Sequence, residues 1–354
     1  MLVVGLNHKT APIEIREKFY LNHLQAELLL SELKNNPVVS EAFVLSTCNR
    51  IEVYLKRADT ELRESFIIDL IAKIKKSPFD FDYSKYIYIY QDAHAIEHLL
   101  KVASGLDSLV LGEKQILGQV KTAVETARQV GTISRYFNIL SNTAIRAGKK
   151  AQHETEISHG GSSISWAAIE MSEQLLGSLQ GKSVLVIGAG KMGELALGNL
   201  CNRGLGKIHL MNRTGEKAEE LAKRYGGIAA SFWDIKDILA EVDVCICSVS
   251  APHYILDKEK VATILPFRQG RPLIFIDISM PRNIDPQVGL LPSVYLRSID
   301  DLDQVVTASM KKREAAVSQV EAIIRQKICE FDEKIAKLQS CANSDFFEAA
   351  ESAD

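Results

Sequence analysis

Cys48 lies in the segment VLSTCNRIEVYLKR, where two strand-like runs meet. Ser46, Thr47 and Asn49 flank it with small polar side chains, and Arg50 places a cation two residues away. Hydrogen-bond donors and a nearby cation favour the thiolate, which is the nucleophilic form of cysteine. Such a thiolate could attack an ester or aldehyde carbon. The alternative is that Cys48 is a small buried apolar residue, as most single cysteines are.

The other cysteines lie in segments without a comparable pattern of polar neighbours. Cys245 and Cys247 alternate in the strand-like run DVCICSVS, and with Cys201, Cys329 and Cys341 they are predicted to be small buried residues. No pair has the CxxC spacing, which argues against a disulfide framework and a structural zinc site.

A second motif follows the GxGxxG pattern. It consists of Gly188, Ala189, Gly190, Lys191, Met192 and Gly193. The apolar run SVLVI precedes it and the helical pattern ELALGNL follows, as a dinucleotide-binding turn requires. Glycines there permit the tight turn, the approach of backbone N–H groups to a pyrophosphate, and close helix–strand packing. The alternative is a glycine-rich turn without a ligand.

The end of the next predicted strand indicates which cofactor is bound. An NAD site usually has an acidic residue there for the ribose 2′-hydroxyl, but this chain has Asn212, Arg213 and Thr214. A guanidinium and a hydroxyl suit a 2′-phosphate, so the predicted cofactor is NADPH. Alternatively, Arg213 is a solvated charge at a helix start.

His94 and His98 enclose the pattern HxxEH, which also occurs in zinc peptidases. Nothing in the sequence identifies a third ligand, so metal binding is the disfavoured interpretation.

These residues fall in three zones, predicted as an N-terminal α/β catalytic domain (1–155), a Rossmann-type doubly wound NADP-binding domain (156–300) and a long C-terminal helical region (301–354). The first alternates short strand patterns with helices, and the second repeats the β-α-β rhythm of a parallel sheet. The third has an amphipathic helical pattern from Asp300 to Leu338.

Composition narrows the functional class. A net charge of −3 excludes a globally basic nucleic-acid binder. Between Lys121 and Lys150, however, six cations face one acid, a local charge of +5 that could follow phosphates or be a solvated helical face. The sequence has no signal-peptide pattern and no apolar run of membrane-spanning length, so a cytoplasmic protein is expected.

Three segments in order, STCNRIEVY, HLLKVASGLDSLVLGEKQILGQVK and GAGKMG with MNRT, closely resemble the glutamyl-tRNA reductase family from Met1 to about Asp303. The resemblance implies NADPH-dependent reduction of glutamyl-tRNA(Glu) to glutamate-1-semialdehyde, the first step of five-carbon tetrapyrrole (porphyrin and heme) biosynthesis. Glutamyl-tRNA(Glu) and the downstream aminomutase are the partners it implies. The alternative is a catalytically silent relative that holds glutamyl-tRNA or a partner enzyme.

The resemblance also assigns residues. Cys48 matches the nucleophile that forms a thioester, and His98 matches a histidine that orients or protonates the reacting ester. Arg50 is expected to form a bidentate pair with a substrate carboxylate. The full set of implied substrate contacts is Thr47, Cys48, Asn49, Arg50, Ser108, Glu113, Lys114, Gln115 and Gln119.

The chain departs from the family at its C-terminus. Family members usually carry a further helical dimerisation domain, of which this sequence has only the beginning. An apolar stripe of Val317, Val320, Ile324 and Ile328 is predicted to form a small dimer seam, giving a weak homodimer or a monomer.

Overall fold

The computed structural model of the protein describes residues 1–57, 64–158, 163–201, 203–249, 251–302 and 314–351. The chain divides into two compact units. The first unit contains Met1–Ala11, Leu21–His159 and Lys312–Asp354, and the second contains Pro12–Tyr20 and Gly160–Lys311. None of the helices described is both long enough and apolar enough to cross a bilayer.

The helices are numbered along the chain. They are α1 (Ile13–Phe19), α2 (His23–Lys34), α3 (Glu64–Lys75), α4 (Asp92–Ala103), α5 (Lys114–Val130), α6 (Arg135–Glu154), α7 (Ile164–Leu176), α8 (Lys191–Leu200), α9 (Gly215–Tyr225), α10 (Ile235–Glu241), α11 (Lys258–Ala262), α12 (Leu265–Arg268) and α13 (Glu314–Glu351).

An antiparallel sheet with the strand order β2-β3-β1-β4 lies in the first unit. Its strands are β1 (Leu2–Asn7), β2 (Val39–Ser46), β3 (Arg50–Arg57) and β4 (Tyr88–Gln91). Every residue of β1 is buried, so both faces of the sheet are covered there. Only three residues connect β2 to β3, and Cys48 is the middle one.

The segment between α4 and α5 turns on two glycines, Gly105 and Gly112, each with φ of 76°. The Gly112 N–H donates to the Gly105 carbonyl at 2.9 Å. A Cβ on Gly112 would lie 1.8 Å from the carbonyl oxygen of Ile157, so the turn has no room for another residue type. These glycines fix the path of the residues between them, which include Ser108.

A buried carboxylate holds the start of α6. Glu41, on β2, accepts the backbone N–H groups of Ser134 at 2.8 Å, Tyr136 at 3.1 Å and Phe137 at 2.9 Å. These are N–H groups that the first turn of a helix leaves without internal partners. A negative charge at this end also complements the helix dipole.

The C-terminal helix packs inside the first unit. The rings of Phe331 and Tyr136 meet edge to face with centroids 5.5 Å apart, and Lys150 Nζ donates to Gln326 Oε1 at 2.9 Å. In the apolar stripe predicted as a dimer seam, Val320 and Ile324 are buried within the chain, whereas Val317 and Ile328 are half-buried. The prediction of an open seam is wrong for the two buried residues, because the chain's own helices cover them.

The predicted start of that helix is also wrong. Ile299–Leu302 forms a short 3-10 helix, and α13 begins at Glu314 in the described part of the chain. The prediction for residues 303–313 lies outside the described residues.

The second unit contains a six-stranded sheet in which every pair is parallel. Its strands are β5 (Val184–Ile187), β6 (Ile208–Met211), β7 (Ile228–Ala230), β8 (Val244–Cys247), β9 (Leu273–Asp277) and β10 (Val294–Ser298). The order β7-β6-β5-β8-β9-β10 is that of a Rossmann fold, in which the strand order reverses between the first and fourth strands. The predicted fold class is therefore confirmed.

Residues 12–20 belong to this second unit, whereas the division predicted from the sequence groups them with residues 1–155. Arg16 of α1 is buried and pairs with Asp300 at 2.6 Å. Arg282 pairs with Glu14 and Glu17, both at 2.8 Å. Ion pairs with Asp300 and Arg282 thus hold α1, which lies early in the sequence, within the second unit.

Replacing Glu41 with Gln should destabilise the first unit by about 1–3 kcal/mol, because a neutral amide interacts less strongly with the N–H groups that it caps. The urea midpoint of unfolding, followed by circular dichroism, measures the effect. Glu125→Gln, an exposed change on α5, is the control and should shift stability by less than about 0.5 kcal/mol. A Glu41→Gln protein as stable as its parent would contradict the capping role.

Candidate active site

Cys48 lies at the tip of the turn between β2 and β3. The Thr47 N–H donates to the Arg50 carbonyl at 2.8 Å, and the Thr47 hydroxyl accepts the N–H groups of Asn49 at 3.2 Å and Arg50 at 3.1 Å. The His8 N–H donates to the Asn49 carbonyl at 2.9 Å, which ties the turn to the end of β1. Thr47 and Asn49 are buried, and Cys48 is partly exposed. The turn therefore presents a thiol on a fixed backbone.

Arg50 is buried beside this turn and is held by two carboxylates. Its Nη1 donates to Glu52 Oε1 at 2.7 Å and to Asp107 Oδ2 at 3.0 Å, and its Nη2 donates to the Asp107 carbonyl. Burial acts to lower the pKa of Arg50, but Glu52, Tyr88 and Asp107 raise it above its usual value. Arg50 therefore stays charged, and its Nε–H and second Nη2 hydrogen are the groups that could meet a substrate carboxylate. The bidentate pair remains a prediction.

Asp107 has further partners at the edge of this site. Its carboxylate accepts Asn7 Nδ2 at 3.3 Å and pairs with Lys9 Nζ. Burial acts to raise the pKa of Asp107, whereas the charge of Arg50 and the hydrogen bond from Lys9 hold it below its usual value. Asp107 therefore links the end of β1 to the buried guanidinium.

Glu52 is fully buried and accepts hydrogen bonds from four side chains. They are Arg50 Nη1, His98 Nε2 at 2.8 Å, and the hydroxyls of Tyr54 and Tyr88. Burial alone would raise the pKa of this carboxyl group, but the charge of Arg50 and the charge and hydrogen bond of His98 hold it well below its usual range. The group is thus a carboxylate in the interior of the first unit.

His98 projects from α4 to Glu52 and lies against two tyrosine rings. The centroid of its ring is 5.5 Å from that of Tyr88 and 4.7 Å from that of Tyr90. His94, the other histidine of the HxxEH pattern, is exposed. Within the described ranges, no cluster of three or more His, Cys, Asp or Glu residues has a metal-binding arrangement. The hydrogen bond to Glu52 accounts for His98 without a metal.

The remaining predicted substrate contacts lie between α4 and the second turn of α5. Ser108 and Gln115 are buried; Ser108 Oγ, Gln115 Nε2 and also Asn49 Oδ1 have no hydrogen-bond partner among the described residues. A buried polar atom without a partner is unfavourable by about 1–3 kcal/mol, so these three atoms are suited to a polar ligand. The other three are Glu113, which is buried, Gln119, which is half-buried, and Lys114, which is exposed.

Sequence reasoning missed Glu52, Asp107 and the tyrosines around His98. One signal was available: Arg50, Glu52 and Tyr54 alternate along β3, so they share one face of the sheet. Charged residues in a strand that is otherwise apolar require partners, and His98 and Asp107 are those partners.

The predicted dinucleotide loop joins β5 to α8. Gly188 has φ of 113°, and a Cβ at Gly193 would lie 1.9 Å from the Gly188 carbonyl oxygen. At Gly190, the residue before α8, a Cβ would meet nothing within 4 Å. Two glycines are thus required by packing, whereas the third leaves open space at a helix N-terminus, where a phosphate binds. Ala189 lies in the loop, and Lys191 and Met192 begin the helix.

A cavity of about 750 Å³ lies beyond the carboxyl ends of β5, β6 and β8, at the point where the strand order reverses. Asn212 is held at its edge, since its Oδ1 accepts the Ala189 N–H at 3.2 Å and its Nδ2 donates to the Thr214 carbonyl at 2.9 Å. Arg213 and Thr214 line the cavity and are exposed, as is Lys217 of α9, which sequence reasoning missed. The volume of the cavity is suited to a dinucleotide. The glycine loop and the cations Arg213 and Lys217 are suited to its phosphate groups.

The other cysteines differ from Cys48. Cys245 and Cys247 are buried in β8, as predicted, and burial raises the pKa of both thiols. The prediction is wrong for Cys201, which follows the end of α8, and for Cys329 on α13, because both are exposed. The side chain of Cys341 lies outside the described residues.

Family models match both units. The model for shikimate/quinate 5-dehydrogenase matches residues 170–305, and the model for the N-terminal domain of glutamyl-tRNA reductase matches residues 4–155. Together with the parallel sheet and the glycine loop, the dehydrogenase match defines the chain as an oxidoreductase that binds a nicotinamide-type cofactor.

Individual relatives specify the family. Glutamyl-tRNA reductase from Thermodesulfovibrio yellowstonii is 39% identical over 346 residues, which cover 96% of this chain and 81% of the relative. The enzyme from Bacillus subtilis is 40% identical over 334 residues, or 94% of this chain and 72% of the relative. The solved structure of glutamyl-tRNA reductase from Methanopyrus kandleri is 35% identical and aligns with a TM-score of 0.52 over 95% of this chain and 80% of its own. The chain belongs to the glutamyl-tRNA reductase family, as its motifs indicated.

Two glycines of the loop should respond differently to replacement by alanine. Gly190→Ala should leave thermal stability unchanged and raise the Kd for NADPH at least about tenfold, because its methyl group enters the space that a phosphate would approach. Gly193→Ala should lower the melting temperature, because its methyl group collides with a backbone carbonyl. Titration calorimetry and thermal unfolding measure the two effects. Unchanged NADPH affinity in Gly190→Ala would show that the phosphate does not bind there.

Proposed function

We propose that this chain reduces glutamyl-tRNA(Glu) to glutamate-1-semialdehyde with NADPH and releases the tRNA, through a thioester on Cys48. Membership of the family supports the reaction. The geometry of the site supports the assignment of roles to residues. Cys48 is a partly exposed thiol in a short turn, and Arg50, two residues later, contacts the same carboxylate, Glu52, as His98 does.

The chemistry divides into acyl transfer and reduction. The Cys48 thiolate attacks the ester carbonyl carbon, the C–S bond forms, and the C–O bond to the tRNA ribose breaks while the ribose oxygen takes a proton. NADPH, when bound, supplies the hydride that reduces the thioester carbonyl. The C–S bond then breaks, which yields the aldehyde and regenerates the thiolate. Arg50 and the unpartnered polar atoms of Asn49, Ser108 and Gln115 are the groups that hold the glutamyl moiety.

The positive charges that line the dinucleotide cavity favour NADPH over NADH as the cofactor. Arg213 and Lys217 both line the dinucleotide cavity, and the end of β6 carries no acidic side chain, which in an NAD site would accept the ribose hydroxyls. Two cations at this place favour a 2′-phosphate.

Helices α5 and α6 provide a surface for the tRNA. Lys121, Arg135, Arg146 and Lys149 are exposed along them, and with the part-paired Arg128 and Lys150 they give the positive stretch predicted from the sequence. Exposed lysines and arginines on neighbouring helices can follow a phosphate backbone.

The chemistry of the reaction bears on the compartment in which the enzyme acts and on the enzyme that receives its product. The reducing cytoplasm keeps a partly exposed catalytic thiol reduced, so we place the enzyme there. The product is a reactive α-amino aldehyde, and direct transfer to the downstream aminomutase would protect it. The alternative, a catalytically silent relative, is disfavoured because the thiol, His98 and the glycine loop are all present.

Replacing Cys48 with Ser should reduce the rate of NADPH oxidation with glutamyl-tRNA at least about 10³-fold, because a hydroxyl is a much weaker nucleophile than a thiolate. Uncharged tRNA should support no oxidation with any variant. Cys329→Ser, which removes another exposed thiol, is the matched control and should keep full activity. An active Cys48→Ser enzyme, or a glutamyl adduct on a different cysteine, would refute Cys48 as the nucleophile. A wild-type chain that binds glutamyl-tRNA without turnover would instead support the alternative of a catalytically silent relative.

Replacing Arg213 with Glu should weaken NADPH binding by about 10²-fold and leave NADH binding within about threefold, because only NADPH has the phosphate that the new charge repels. Lys236→Glu makes the same charge change on α10, at an exposed residue that does not line the cavity, and should affect neither cofactor. Equal losses for NADPH and NADH in the Arg213 variant would show that this residue does not read the 2′-phosphate.

A further inference from the structure

The Glu52 carboxylate connects two residues of the proposed site. Its Oε1 accepts Arg50 Nη1 at 2.7 Å and His98 Nε2 at 2.8 Å, so one oxygen atom holds both side chains. Tyr54 donates to the other oxygen. A carboxylate removed from water is unfavourable by several kcal/mol unless it is paired, and here the pairing converges on His98 and Arg50.

The contact with Glu52 fixes the proton arrangement of His98. An ionised carboxylate can only accept hydrogen bonds, so the Nε2 atom that it contacts must carry hydrogen. In a neutral imidazole the other nitrogen, Nδ1, then has a lone pair and can accept a proton. The rings of Tyr88 and Tyr90 lie against the imidazole and limit its rotation.

We propose that Glu52 is a positioning residue for the reaction: it holds His98 with hydrogen on Nε2, so that Nδ1 is the atom that moves the proton during acyl transfer. The inference rests on the proposed function. Nδ1 accepts the proton of the Cys48 thiol and later gives it to the ribose oxygen of the departing tRNA. Acyl transfer thus moves one proton from the thiol to the ribose oxygen and leaves the imidazole neutral again; the thiolate that reduction releases takes up one proton from water before the next cycle.

Charged and titratable groups surround His98 from three elements. They are Arg50, Glu52 and Tyr54 on β3, Tyr88 and Tyr90 on β4, and Asp107 in the segment after α4. Asp107 contacts Nη1 and Nη2 of Arg50 and also pairs with Lys9. Glu52 is the carboxylate in hydrogen-bond contact with His98, so it lies next to an imidazolium that forms there.

Removing the carboxylate of Glu52 should slow acyl transfer without a comparable loss of substrate binding. For Glu52→Gln we expect the single-turnover rate of glutamyl-Cys48 formation, measured without NADPH, to fall by about 10²-fold to 10³-fold. The KM for glutamyl-tRNA should stay within about threefold, because Asp107 still holds Arg50. The rate should be measured from pH 6 to pH 9, and the profile of Glu52→Gln should match that of His98→Gln.

The double variant distinguishes positioning from an independent role. If Glu52 acts through His98, then Glu52→Gln with His98→Gln should be no slower than His98→Gln alone. Losses that multiply, or a Glu52→Gln enzyme with full rate and an unchanged pH profile, overturn the inference. Glu41→Gln is the matched control, since it also neutralises a buried glutamate of the first unit but contacts the start of α6 and Lys56 rather than His98; its pH profile should be that of the wild type.

A measurement on the wild-type protein covers the case in which Glu52→Gln does not fold. In ¹⁵N-histidine-labelled protein, with His98→Gln used to assign the signal, we expect the neutral form of His98 to have hydrogen on Nε2 and none on Nδ1. A neutral form with hydrogen on Nδ1 and none on Nε2 overturns the inference. This readout does not depend on turnover, so a chain that fails to reduce glutamyl-tRNA would refute the proposed function separately.

Discussion

The first unit is organised around a carboxylate that has been taken out of water. Glu52 lies on a strand whose neighbours are buried, and an unpaired charge there would be strongly destabilising. Arg50, His98, Tyr54 and Tyr88 satisfy it, and they come from β3, β4 and α4. These elements must keep their register for the charge to remain paired. The requirement that stabilises this part of the fold therefore also fixes Arg50 and His98, two side chains of the proposed site.

The second unit depends on a different constraint, which is steric. Its glycine loop closes because Gly193 and Gly188 approach within a distance that no side chain could share. This contact leaves the start of α8 uncovered, next to a cavity lined by Arg213 and Lys217. The same close packing thus produces the space for a phosphate and the helix end that favours it.

Much of this could be predicted from the sequence because it is local. The strand–glycine–helix pattern, the parallel sheet, the short turn that carries Cys48 and the burial of Cys245 and Cys247 all follow from neighbouring residue types and from their periodicity. The family motifs placed His98 and Arg50 in one site. The exposure of Cys201 and Cys329 was missed, because periodicity does not show which helical face lacks a covering partner.

The sequence by itself determined the chemistry that is available: one thiol in a polar turn, a dinucleotide loop and a cationic end to its second strand. Only the tertiary structure decided how those groups are held. Glu52 and His98 are 46 positions apart, and Arg50 and Asp107 are 57 apart, so no local pattern could pair them. Residues 12–20 join the second unit, and other helices of the first unit cover Val320 and Ile324 of α13, for the same reason. Pairing of buried charges and burial of apolar surface are satisfied in space, by whichever segment the complete fold brings near.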